Sequence, residues 1–242
     1  MIADSSQYRV AIVPARGGSK RIPRKNIRDF LGRPLIARTI GTLIESGLFD
    51  MVHVSTDDEE IAGLAISEGA TSPWRRPPEL SDDYAITAAV VTWELEQLGQ
   101  QLGILPTHVC TVYPASVLIT AEHLQGAWTK FKSGNYDAVI SVLRHPSPIL
   151  RAYRIRSGDT GEMIWPQYRL SRSQELEETF YDAGQFYWST TDYWRNELDQ
   201  KLALQSRVGL FELSRRDAVD IDTEDDWKFA EDLYRLRRPD GI

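Results

Sequence analysis

The chain has 242 residues, with 28 Lys and Arg against 35 Asp and Glu and a formal net charge of −7. At about 150 residues per domain this length predicts one domain over residues 1–242 carrying an insertion, and the acidic balance argues against a nucleic-acid partner, which requires a basic face. Apolar residues at 42% and charged residues at 26% are globular values, no apolar run reaches the roughly 18 residues of a membrane span, and the first eight residues lack the pattern of a secretory leader.

In chain order, residues 8–13 form a short apolar run that reads as a buried strand. After a glycine-containing loop, Pro34 opens a helical pattern through Leu35, Ile36, Ile40, Leu43 and Ile44, with Gly47 as its stop. A second strand is expected at 51–54. Asp57 is expected to cap a helix carrying Ile61, Leu64, Ala65 and Ile66 and ending at Gly69. A helix follows at 86–101, then a strand at 108–113, a helix capped by Thr120 and a strand at 138–143. Cys110, the single cysteine, sits in the third strand as a small buried hydrophobe, which excludes an internal disulfide and suits a reducing cytoplasm. From about 145 to 180 the rhythm breaks, with Pro146, Pro148, Gly158, Gly161 and Pro166 punctuating short β-like pieces. This is expected to be an inserted lid or dimerisation arm. Regular pattern resumes at 185–188 and 207–213 and closes in a helix capped near Thr223. Phe186, Tyr187, Trp188 and Trp165 read as core or interface aromatics.

Such βαβ alternation predicts an α/β fold, a mostly parallel sheet with helices on both faces and a small β-rich insertion. Ligands of such sheets bind beyond the C-terminal strand ends, so the chemistry is expected in the loops after Val13, Val54, Tyr113 and Leu143.

The charge is uneven. Residues 1–40 hold nine basic and two acidic side chains, a net of +7, which leaves −14 on the remaining 202 residues. Much of the basic excess falls in Pro14-Ala15-Arg16-Gly17-Gly18-Ser19-Lys20-Arg21-Ile22-Pro23-Arg24-Lys25-Asn26. Two glycines directly after a strand let backbone N–H groups approach an anion, with Arg16, Lys20 and Lys25 supplying positive charge. The plain alternative is a surface turn with solvated cations. Neither the Walker A pattern nor G-x-G-x-x-G is present. Near the other end, residues 217–232 hold eight acidic side chains against Lys228. Asp220 and Asp222 are two residues apart, so on an extended segment they point the same way and suit Mg²⁺, which takes one or two carboxylates plus phosphate oxygens. The alternative is that Asp222 caps the closing helix and Asp220 is solvated.

The 14–26 stretch resembles the N-terminal signature of the cytidylyltransferases that activate sialic-acid-type sugars. The resemblance extends to Ser55-Thr56-Asp57-Asp58-Glu59-Glu60, Arg76-Pro77-Pro78-Glu79-Leu80-Ser81-Asp82-Asp83, Arg172-Ser173-Gln174 and Asp220-Ile221-Asp222-Thr223-Glu224. The run Asp182-Ala183-Gly184-Gln185-Phe186-Tyr187-Trp188 resembles the pseudaminic acid branch in particular. The resemblance implies a Rossmann-like sheet of the nucleotide-diphospho-sugar transferase type, CTP and a nine-carbon 2-keto acid sugar as partners, a cytoplasmic homodimer and Mg²⁺ as cofactor.

By resemblance, Ala15, Arg16, Gly17, Gly18, Ser19, Lys25, Asn26, Arg76 and Thr87 fall at nucleotide contacts. Ser116, Arg151, Arg172, Gln185 and Tyr187 fall on the sugar side, and Asp220 and Asp222 align with magnesium ligands. Lys25, Arg172, Asp220 and Asp222 are the implied catalytic set. Where relatives read Pro-Thr-Ser/Ala-Pro, this chain has Pro114-Ala115-Ser116-Val117, leaving Ser116 as the hydroxyl of that loop. The expected reaction is CMP transfer from CTP to the sugar with release of pyrophosphate. Sialic or legionaminic acid as the sugar, or a non-catalytic nucleotide-binding module, are the rivals. No histidine is placed as a general base.

Overall fold

The computed structural model describes residues 8–237; the expectation that the chain starts without a leader lies outside them. The elements run β1 (Arg9–Pro14), β2 (Asp29–Phe30), β3 (Arg33–Pro34), α1 (Leu35–Glu45), β4 (Met51–Ser55), α2 (Glu59–Ser67), α3 (Thr87–Leu102), β5 (His108–Val112), α4 (Ala121–Ser133) and β6 (Ala138–Arg144). They continue with β7 (Tyr153–Ile155), β8 (Gly161–Met163), β9 (Phe180–Thr190), α5 (Thr191–Asn196), α6 (Gln200–Ala203), β10 (Val208–Glu212) and α7 (Glu224–Arg237).

Six strands form one sheet in the order β10-β6-β9-β5-β1-β4. β1 pairs in parallel with β4 and β5, and β10 in parallel with β6. Side chains alternate across the strands. On β1, Ala11 and Val13 pack against α1, α2 and α4 through Ile36, Ile40, Ile61, Leu124 and Trp128. Val10 and Ile12 pack on the opposite face against α3 and α5 through Val91, Leu95, Leu98 and Trp194. Cys110 is fully buried in the first of these layers, and burial pushes its thiol well up. The fold class expected from sequence is therefore the one observed. Among the described residues, no helix is long and apolar enough to cross a membrane.

Two local readings need correction. β9 spans Phe180–Thr190, far longer than the expected 185–188, and runs antiparallel to both β5 and β6. Parallel neighbours need a crossover helix, and residues 145–180 supply none, only the exposed β7–β8 ladder and short 3-10 turns. The cap of α2 is Asp58, whose carboxylate accepts from Glu60 N and Ile61 N at 3.0 Å. Asp57 turns back instead and accepts from Gly17 N at 2.9 Å. With Asp-Asp-Glu-Glu at a helix start, composition leaves the cap undecided by one residue.

Thr120 caps α4 as expected, in a capping box completed by His123. Thr223 caps α7, with its hydroxyl accepting from Asp226 N at 3.2 Å and Asp226 returning to Thr223 N at 2.8 Å. The Asp222 carboxylate is thus not the cap of the closing helix.

A third apolar cluster fastens α7 to the N-terminal segment, with Phe30 edge-on to Trp227 and Tyr234 at 5.4 and 5.6 Å between ring centroids. Arg28 pairs with Glu224 at 2.5 Å and lies over the Trp227 ring. Arg38 donates to Phe30 O and Tyr234 OH, both at 2.7 Å. These two arginines are fasteners rather than free surface charge.

Candidate active site

The loops at the C-terminal ends of β1 and β5 enclose a cavity of about 1080 Å³ with β9 and the segment before α7. Its basic wall is the loop after β1. Arg16, Ser19, Lys20, Arg21, Lys25 and Asn26 line it. Arg24 does not: its backbone is left-handed at φ 56, and its guanidinium turns away to Asp58 and Glu60.

Each lining cation of this loop already has a protein acceptor. Arg16 reaches Asp83 Oδ1 and Asp82 O, both at 2.7 Å, and Lys20 also binds Asp83. Arg21 pairs with Asp222 at 2.6 Å. Lys25 donates to Ile221 O at 2.7 Å and lies 3.8 Å from Asp222. Burial draws the Lys25 ammonium below the ordinary lysine range, opposed by the charges of Asp222 and Asp220. Burial pushes the Asp220 carboxyl up, and the neighbouring Asp222 charge pushes the same way. A protein-only site thus keeps an under-compensated carboxylate beside a desolvated ammonium, an arrangement that a charged ligand relieves.

Arg76 enters from the segment between α2 and α3. It is 5% exposed, its Nε donates to Ser81 Oγ at 3.2 Å, and it lines the cavity. Burial lowers its basicity, opposed by Asp57 and Glu94. Glu94 is fully buried and steadies that segment from below, accepting from Trp74 Nε1 at 2.7 Å and lying 2.9 Å from His53 Nε2. Asn26 is held by its donation to Arg16 O at 2.9 Å, which leaves its buried Oδ1 without a partner.

The opposite wall is polar and aromatic. Thr87 Oγ1 lies 2.7 Å from Tyr113 OH, the Tyr113 and Tyr187 rings meet edge-on at 5.9 Å, and Tyr187 OH donates to Asp182 Oδ2 at 2.7 Å. Gln185 is 2% exposed. Its Nε2 donates to Ala183 O, Gly184 O and Val219 O at 2.9, 3.2 and 3.3 Å, while its buried Oε1 has no partner.

The structure therefore brings together Arg16, Ser19, Lys25, Asn26, Arg76, Thr87, Gln185, Tyr187, Asp220 and Asp222 around one cavity. Six sequence-derived candidates lie outside its lining. Ala15 is fully buried, and its N–H bonds Ser55 O at 2.8 Å. Gly17 gives its N–H to Asp57 and is needed for close packing, since a Cβ there would lie 2.7 Å from Asp58 Oδ2. Gly18 has open space around it. Ser116 is fully buried and donates to Gln185 O at 2.9 Å, so its hydroxyl latches the loop to β9. Arg151 and Arg172 are exposed on the 145–180 segment, beside Ser173 at 3.4 Å and Glu175 at 3.8 Å respectively.

Asp83 and Asp182 were missed from sequence. Asp83 falls inside the quoted 76–83 run, but its pairing with Arg16 and Lys20 spans more than sixty residues. Asp182 and Tyr187 are five apart, which on an unbroken strand puts them on opposite faces. They meet because two steps of β6, Ile140 to Val142, face five steps of β9, Tyr187 to Asp182. This bulge turns at Gly184, φ 60, where Asp182 also accepts from Gly184 N at 2.8 Å.

A sequence profile described as Cytidylyltransferase matches residues 10–237. The chain belongs to the cytidylyltransferase family. Within it, this cytidylyltransferase is 40% identical over 227 residues to the pseudaminic acid cytidylyltransferase of Campylobacter jejuni, covering 94% of this chain and 96% of that one. It is 32% identical to the CMP-N,N'-diacetyllegionaminic acid synthase of Legionella pneumophila, covering 95% and 97%. Among solved structures, CMP:2-keto-3-deoxy-manno-octonic acid synthetase complexed with CTP aligns with a TM-score of 0.70 at 14% identity over 96% of this chain and 100% of that one. That likeness supports the fold, and the cytidylyltransferase is an enzyme of the nucleotidyltransferase class.

Proposed function

We propose that this cytidylyltransferase couples CTP to a nine-carbon 2-keto acid sugar, with pseudaminic acid as the preferred sugar, to give the CMP-sugar and pyrophosphate. One observation carries this reading: the basic loop and the Asp220–Asp222 pair meet across a cavity whose remaining wall is the polar face of Thr87, Tyr113, Gln185 and Tyr187. A triphosphate requires the first half, and a polyhydroxylated acid suits the second. The 40% identity to a pseudaminic acid enzyme supports the choice of sugar.

Asp220 and Asp222 fit Mg²⁺. No cluster of three or more His, Cys, Asp or Glu able to hold a metal occurs among the described residues, and a magnesium ion carried by nucleotide phosphates needs only one or two carboxylates. The ion, when bound, supplies charge neutralisation at the α-phosphate. The residues do the rest by position and charge. Lys25 and Arg16 take the phosphates, Arg21 exchanges Asp222 for them, and Arg76 with Asn26 Oδ1 present a donor and an acceptor to the nucleoside. Gln185 Oε1 is the acceptor set aside for an N–H of the sugar's acylamino group. A CTP-consuming reaction and an unpaired buried cysteine both suit the cytoplasm.

Pyrophosphate release measured across CTP, ATP, GTP and UTP, crossed with pseudaminic, legionaminic and sialic acids, tests the reading. Turnover is expected with CTP and fastest with pseudaminic acid. A sialic or legionaminic preference would reassign the sugar, and no turnover with any of them would remove the activity.

The 145–180 segment exposes Tyr153 at 66%, Ile155 at 79% and Leu170 at 93%, more apolar area than a lone surface arm needs. We assign it as a dimerisation arm. Sedimentation of wild type is expected to give a dimer and of Ile155→Asp/Leu170→Asp a monomer; equal masses for both proteins would exclude the assignment.

A further inference from the structure

Six cationic side chains line the cavity, and five of them are held by the protein. Arg16 and Lys20 share Asp83, Arg21 pairs with Asp222, Lys25 donates to Ile221 O and Arg76 donates to Ser81 Oγ. The sixth, Arg215, is exposed and has no hydrogen bond or ion pair with any of the described residues. Asp220, five residues further on, is not its partner: the charges that bear on that carboxylate come from Asp222, Lys25, Arg21 and Asp226.

Arg215 stands on a fixed base. It belongs to the turn after β10, which is tied at both ends: Leu213 N donates to Val142 O and Asp217 N to Ser214 O, both at 2.8 Å. The Asp217 carboxylate is gripped by Arg237 and lies 3.6 Å from His123 Nε2, and Leu213 and Ala218 are buried on either side. An exposed arginine is ordinarily just a solvated surface charge; the position of this one sets it apart. The sheet order puts β10 four strand steps from β1, about 19 Å at the usual spacing. The basic loop follows β1, so the cavity carries cations at both ends, with the polar wall of Tyr113, Gln185 and Tyr187 between them. The turn also leads directly into that wall, because Val219 O accepts from Gln185 Nε2 at 3.3 Å. A triphosphate held by Arg16 and Lys25 satisfies one end. The anion for the other end must come from the second substrate.

We propose that Arg215 binds the carboxylate of the sugar acid and so sets the orientation of the sugar in the site. This rests on the synthetase reading above. The acid is ionised at neutral pH and planar, and a guanidinium meets it with two parallel N–H donors. In a 2-keto acid sugar the carboxylate carbon is bonded directly to the anomeric carbon, so seating one places the other. With the carboxylate on Arg215, the anomeric hydroxyl turns toward the nucleotide and an acylamino group can reach Gln185 Oε1, the buried acceptor without a partner. A neutral sugar of the same shape would leave Arg215 unpaired, which makes this residue a selector for sugar acids.

The test uses the full chain with CTP, Mg²⁺ and pseudaminic acid. In Arg215→Gln, kcat/KM for the sugar is expected to fall about 10- to 100-fold, the usual worth of a hydrogen bond to a charged group, with KM for CTP little changed. Arg215→Lys should recover part of the loss, since it restores the charge without the fork. Arg216→Gln, in the same turn but outside the cavity lining, should behave as wild type, which separates a local contact from net charge. The methyl glycoside of pseudaminic acid has no anomeric hydroxyl and cannot react, so it serves as a competitive probe, both as the free acid and as its methyl ester. Wild type is expected to prefer the acid by about the same 10- to 100-fold, and Arg215→Gln to bind the two alike. Unchanged kcat/KM for the sugar in Arg215→Gln, an equal loss toward CTP, or a preference for the acid that survives the substitution would overturn the assignment while leaving the synthetase reading in place. Absence of wild-type turnover with every nonulosonic acid would overturn both.

Discussion

Replacing Asp220 by Asn is expected to lower Mg²⁺-dependent pyrophosphate release by about 10³-fold, the size of effect seen when one pre-organised group facing transition-state charge is removed. The exchange conserves volume and removes one negative charge. Asp220 is the lining carboxylate that burial and its neighbour Asp222 both destabilise as an anion, which is the state a bound cation would favour. The same substitution removes the repulsion between the pair, so the variant is expected to be at least as heat-stable as wild type. CTP binding measured by calorimetry should survive in part through Arg16, Lys25 and Arg76. An active Asp220→Asn enzyme would refute the metal assignment.

Lys25→Met comes next, with kcat/KM for CTP expected to fall about 10²- to 10³-fold. The thioether replaces the buried aliphatic stem, so the variant tests the ammonium rather than the packing. Lys25→Arg is expected to recover little, because the planar guanidinium does not fit the single contact with Ile221 O at 2.7 Å. A pH signature accompanies it. Burial lowers the Lys25 pKa in the free enzyme, so the ammonium is lost as pH rises below the ordinary lysine range. The alkaline limb of kcat/KM, which reports the free enzyme, should fall early in wild type and be absent in Lys25→Met. Bound phosphates favour the ammonium, so kcat should stay flat further into base. Matching alkaline limbs in both proteins would remove Lys25 from the site.

Local periodicity carried most of the fold. The runs that became β1, β4, β5 and β6 could be seen because they are buried on both faces, and α1, α3 and α4 because their apolar faces repeat. What local pattern hides is direction. β9 carries the same apolar residues as its neighbours, and nothing in Phe186–Trp188 distinguishes an antiparallel central strand from a parallel one; the clue was the missing crossover helix before it. The site divides in the same way. Arg16, Lys25, Asp220 and Asp222 were legible as charged groups in compact motifs. Asp182 was hidden by a bulge that breaks the two-residue alternation. Ser116 was misread because a loop hydroxyl looks the same whether it faces a ligand or bonds a strand, as it does here with Gln185 O. The exposed 145–180 segment gave Arg151 and Arg172 no fixed place near the cavity, since neither is anchored by the core.

The seam between the N-terminal segment and α7 has a consequence in time. Phe30, Arg28 and Arg38 wait for Trp227, Glu224 and Tyr234, and Lys25 and Arg21 wait for Ile221 and Asp222. Two cations of the basic loop thus find their partners only some 200 residues further along the chain, at separations of 201 and 196. Contacts of such sequence separation form slowly, and on the ribosome they cannot form at all until the closing helix has emerged. A nascent chain can therefore assemble the β1–β4–β5 half of the sheet while its basic loop is still without Asp222. Completion of the basic loop therefore waits on Ile221 and Asp222.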